Sequence, residues 1–147
     1  MKDPYLKPVI FGGLLITMLS VIFAPAVFLW AIIGGYVAVR IANKITKEII
    51  SVMDGLFLGL FSGIIGGTCL DIHTLIFFRS AENQRMLIRT LEKSWPKEAG
   101  SAPNFLELLP TLFVTTSIFV IVIAVLFALI GGYIGVLISR RKNKACL

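Results

Sequence analysis

Charge is what this chain has least of. Of its 147 residues only 15% are Asp, Glu, Lys or Arg, against about 25% in soluble domains. With 57% hydrophobic residues, it carries more apolar stretches of spanning length than a soluble fold of this size could bury, which points to an all-α integral membrane bundle. Histidine occurs once, so a bis-His haem within one chain is excluded, and a serine nucleophile would find its base only on another helix. The cysteines are Cys69 and Cys146 alone, too few for a four-ligand structural zinc site. Cys146 is second from the end, not fourth, and does not fit a prenylation box. No phosphate-cradling glycine loop ending in Lys-Ser or Lys-Thr is present. The chain therefore reads as a non-enzyme without a cofactor. Its net charge of +6 does not imply nucleic acid, because the basic residues flank hydrophobic runs instead of forming an aromatic-interleaved patch.

What the sequence does contain is glycine at a helical period. In residues 51–71, Gly55, Gly59, Gly63 and Gly67 recur every fourth position inside an apolar run. Residues four apart stack on nearly one helix face, and a row without side chains is a groove into which another backbone can press. In lipid, helices associate by van der Waals contact and interhelical hydrogen bonds, so small-xxx-small rows become packing seams. Gly34, Ala38 and Ala42 form a second such row, and Ala124, Ala128 and Gly132 a third.

Taken in order, a polar leader precedes an unbroken apolar run from Val9 to Val39. One helix of that length would be about 46 Å long, well beyond a hydrocarbon core of about 30 Å. Pro25 offers a break, because proline removes a donor and disfavours helix at the preceding residue. The expectation is a tight hairpin with spans at about 8–23 and 26–42; the alternative is one long helix kinked at Pro25, giving three spans in all. Lys2, Lys7, the apolar run and Ala24-Pro25-Ala26 also imitate a signal peptide, but more apolar helix follows and cleavage is not expected. After a basic connector, Ser51 and Asp54 have the spacing of a capping box, opening a span at about 52–78. Residues 79–95 place Leu87, Leu91 and Trp95 on one face, which reads as a short amphipathic surface helix with Trp95 as interfacial anchor. A loop over 97–104 leads to Asn104 and Glu107, again with capping spacing, and to a last span at about 108–138. The whole, 1–147, reads as one membrane domain.

Counting cations sets the orientation. With four spans, nine of the fourteen Lys and Arg residues share the side of both termini, and the other five lie between Arg79 and Lys97. With three spans no bias remains. The positive-inside rule therefore favours four spans in a plasma (inner) membrane with both termini cytoplasmic. Residues 31–41 also match residues 128–138 without gaps at seven positions, including Gly-Gly-Tyr. A duplicated hairpin and chance in a biased composition explain the echo about equally well.

Polar chemistry is confined to Cys69, Asp71 and His73. They could contribute to a soft divalent site, but no second ligand-bearing segment appears, and an interfacial polar band is the better reading. The succession of Gly-Gly-Tyr before a basic connector, Asp54-Gly55 opening a glycine-spaced span, and a Gly-rich final span with an Arg/Lys tail resembles small polytopic bacterial membrane proteins of the domain-of-unknown-function type. That resemblance implies membrane localisation and carries over no site residue. The expected function is a non-enzymatic scaffold or accessory subunit, with the bilayer, further copies or other membrane subunits as partners. The alternative is a component of a small oligomeric channel or transporter.

Overall fold

A computed structural model describes residues 4–96 and 103–144. Lys2, the loop over 97–102 and Cys146 lie outside the described residues. Every regular element among those described is helical: α1 (Leu6–Ile22), a 3₁₀ turn (Ala24–Ala26), α2 (Val27–Thr46), α3 (Val52–Phe77), α4 (Ala81–Ser94) and α5 (Phe105–Lys144). Three helices are long and apolar enough to cross a membrane, namely α2, α3 and the Phe105–Arg141 portion of α5. Helix α1, with 17 residues, is about 26 Å long at 1.5 Å per residue.

The break at Pro25 is a reversal, not a kink. The helix stops at Ile22, the turn follows, and α2 runs back along α1, so that Gly12 meets both Gly34 and Ala38. A single long first helix is thereby replaced by a hairpin. The indole N–H of Trp30 donates to the Phe23 carbonyl at 3.1 Å, a second donor to an oxygen that also accepts from Ala26 N–H at 3.2 Å. Helix α2 extends through Arg40 and Lys44 to Thr46, beyond the boundary at 42 that its charges suggested. Nothing in 40–46 breaks a helix, and it ends only at Lys47, whose φ of 56° is left-handed.

The expected capping box opens α3: Asp54 N–H donates to Ser51 Oγ at 3.1 Å, and Ser51 N–H to Asp54 Oδ2 at 3.3 Å. At the far end, Asn83 and Gln84 donate to the carbonyls of Phe77 and Phe78 at 2.6 and 2.9 Å. The first turn of α4 thus caps the last turn of α3. Helix α4 buries no residue fully. Leu87, Ile88, Leu91 and Trp95 are half-buried, and Trp95 meets Phe105 edge-on with ring centroids 5.8 Å apart. Helix α5 starts at Phe105 and not at 108, with Asn104 Nδ2 donating to Glu107 Oε1 at 2.7 Å.

Helices α1, α2, α3 and α5 pack as a four-helix bundle in which α3 with α5 and α2 with α5 share the largest interfaces. Gly13 meets Gly66, so α1 and α3 are neighbours; Gly35 meets Ala128 and Gly135 meets Val39, so α2 and α5 run parallel with the echoing segments side by side. The starts of α1 and α3 and the ends of α2 and α5 therefore lie at one end of the bundle.

The bundle is apolar outside and small inside. Ala31, Ala38, Ala42, Ala124 and Ala128 have no accessible surface, whereas Phe11, Met18, Ile22, Ile76, Val114, Ile118 and Phe119 are more than half exposed. A water-facing surface of this kind would be an aggregation site. Against lipid it is ordinary.

Candidate functional site: glycine seams and a lateral groove

The row on α3 faces α5. A methyl group at Gly59 would stand 2.9 Å from the Ala128 carbonyl carbon, and one at Gly63 would stand 2.7 Å from Val125 Cα and 2.8 Å from the Ala124 oxygen. A methyl at Gly67 would stand 3.1 Å from Ile121 Cα, and Gly55 lies against Val136 and the Gly132 oxygen. Since ordinary carbon contacts are about 3.5–4.0 Å, these backbones are nearer than any side chain allows. Gly34 and Ala38 face α1 instead, through Ile16 and Gly12.

A further seam joins α2 to α5 through Gly35, Gly131 and Gly135, none of which belongs to the rows named from the sequence. Gly131 would place a methyl 2.9 Å from Ile32 Cα, and Gly135 one 2.9 Å from Val39 Cβ. In each Gly-Gly pair the neighbours point about 100° apart. One pair on one helix can therefore serve two partners.

Hydroxyls tie the close backbones together. Thr17 Oγ1 lies 3.1 Å from both the Gly13 and Gly66 carbonyl oxygens, so its one proton is shared between its own helix and α3. Ser62, fully buried, donates to the Val9 carbonyl of α1 at 3.3 Å. At the end of the bundle where α1 starts and α2 stops, Asn43 accepts from Ile50 N–H at 3.1 Å and donates to Ser139 Oγ at 2.9 Å, and Ser139 donates on to the Gly135 carbonyl at 2.8 Å. Asn43 thus fixes the α2–α3 turn to α5. None of these residues was singled out from the sequence, where a hydroxyl in an apolar helix is equally well satisfied by its own preceding turn.

The polar trio separates. Asp71 is half-buried and has Ser117 of α5 as a side-chain hydrogen-bond partner, Cys69 is half-buried with a free thiol, and His73 is exposed. Among the described residues no three His, Cys, Asp or Glu side chains gather as a metal site.

One concavity stands out on the flank of the bundle. Between the first halves of α1 and α3, a groove of about 420 Å³ is walled by Leu6, Phe57 and Phe61, floored by Val9 and Leu58, and bounded at its polar end by Asp54. Phe57 and Phe61 stack at 6.5 Å and 24° along one side. No family model, curated protein or solved structure matches the chain.

Proposed function

We propose that this chain is a non-enzymatic membrane scaffold or accessory subunit whose four bundle helices all cross the bilayer, with both termini on the cytoplasmic side. The observation that carries the reading is the way the interior is filled. Backbone meets backbone along three seams, and the only buried polar side chains among the described residues are Ser20 and Ser62. Conduction of a solute would call for polar or charged groups facing a shared interior. Here the centre is filled by alanine and glycine with a few aliphatic side chains such as Ile16, Val39 and Val136, which suits a rigid piece held against lipid, other copies or other membrane subunits. Helix α4, with its half-buried apolar edge and its Arg85, Arg89 and Lys93, fits the opposite membrane surface.

Purified protein in sealed vesicles should pass ions and small solutes no faster than empty vesicles do, and mild detergent extraction should retain it in a defined complex. Flux rising with protein content would replace the scaffold with the channel reading. For orientation, a reporter active only in the cytoplasm should work when fused after Lys47 or Leu147 and be silent after Gly100; the opposite pattern would invert the topology.

A further inference from the structure

We propose that the groove between α1 and α3 is a lipid site that holds one acyl chain of a phospholipid whose headgroup carries a primary ammonium. The groove's size selects the chain. From Asp54 to Ile65 it extends over eleven helical positions, about 16 Å, as an open trough of about 420 Å³. It opens sideways between the exposed rims Leu6 and Phe57, so that its occupant enters laterally from the bilayer. A single extended hydrocarbon chain is the slender apolar object that a bilayer offers in quantity. The surfaces agree: Leu58 is 2% exposed at the floor, while Leu6 and Phe57 stand 58% and 52% exposed as rims. Nothing polar interrupts the groove between Val9 and Ile65.

The end of the groove selects the headgroup. Asp54 is the acidic group among the lining residues, and its Oδ2 already accepts from Ser51 N–H and from Ser51 Oγ at 2.7 Å. An ionised carboxylate has about four lone-pair sites, so capping leaves room for an ammonium donor. The cap also holds the carboxylate in place at the mouth. A choline headgroup has no N–H to donate, and a glycerol headgroup brings no positive charge.

The test is native mass spectrometry of the full chain, extracted from vesicles of equal phosphatidylethanolamine, phosphatidylcholine and phosphatidylglycerol with matched acyl chains. One lipid per chain should survive stepwise delipidation, with the ethanolamine form enriched about fivefold over the choline form, the upper end for a solvent-screened ion pair. Asp54→Asn, which keeps an acceptor for the cap, should abolish that enrichment without reducing the number of lipids retained. Removing the rim with Phe57→Ala/Phe61→Ala should lower retention to background, whereas Phe119→Ala on exposed α5 should not. Should the double variant lose helicity, the headgroup comparison in the parent and in Asp54→Asn decides alone. Equal retention of all three headgroups, enrichment of phosphatidylglycerol, no retained lipid, or a dimer in place of the lipid adduct would each overturn the assignment.

Discussion

Replacing Gly63 by alanine tests the seam where only backbone stands opposite. The new methyl would lie 2.7 Å from Val125 Cα, 2.8 Å from the Ala124 oxygen and 3.0 Å from Val125 N, all backbone atoms of one helix. No rotamer change relieves them, so α3 and α5 must separate by roughly 0.7–0.9 Å to restore ordinary contact, and a gap of that size forfeits a quarter to a half of each van der Waals well along the seam. Overpacking of this kind costs about 1–3 kcal/mol. Alanine's better helix propensity returns about 0.5–1 kcal/mol, leaving a net loss centred on ~1 kcal/mol and at most about 2.5 kcal/mol. Gly67→Ala is the internal control: its nearest neighbours are at 3.1, 3.2 and 3.5 Å, two of them atoms of the Ile121 side chain. It should be neutral or slightly stabilising. Unfolding in mixed micelles, followed by helicity against denaturing detergent, should therefore rank the parent and Gly67→Ala together above Gly63→Ala. Equal stability of all three, or the reverse order, would refute the idea that these backbones are in contact.

Smaller effects follow from the polar ties and the turn. Thr17→Val should cost about 0.6 kcal/mol, the mean for a hydrogen bond between membrane helices, and Thr17→Ser should restore most of it in the same unfolding assay. Asn43→Leu leaves the N–H of buried Ile50 and the Ser139 hydroxyl without that partner; it should cost about 1–3 kcal/mol and speed amide exchange at Ile50. Lys47→Gly should stabilise by up to about 1 kcal/mol, because glycine holds a φ of 56° without a Cβ penalty; a lower melting temperature would show that the lysine side chain contributes more than its backbone costs.

Much of this arrangement is readable from residues whose physics acts locally. Pro25 breaks a helix wherever it stands, Ser51 and Asp54 close their box within four residues, and glycines four apart must share a face. The rest depends on neighbours that spacing does not name. Ser62 and Thr17 bond across to another helix only because Gly12, Gly13 and Gly66 let α1 approach α3. Gly35 and Gly131 fall outside the rows because each is the second face of a pair already assigned to the first. Helix α2 outlasts its expected boundary at 42 because charge marks where a helix leaves lipid, not where its hydrogen bonds stop. Cys69, Asp71 and His73 lie close in sequence, but only Cys69 and His73, four apart, share a helix face; Asp71 points elsewhere and meets Ser117 of α5.

The helices of this bundle differ in length, and the membrane has to follow. Helix α1 offers about 26 Å of rise and α3, with 26 residues, about 39 Å. With α1 also crossing the bilayer, as proposed, lipids beside the first hairpin compress or tilt while those along α3 and α5 stretch, each at a fraction of a kcal/mol per Å. On that reading the protein imposes a gradient of thickness across its own width. A partner that shortens or lengthens the same local bilayer would be drawn to one flank and away from the other before any side chain touched.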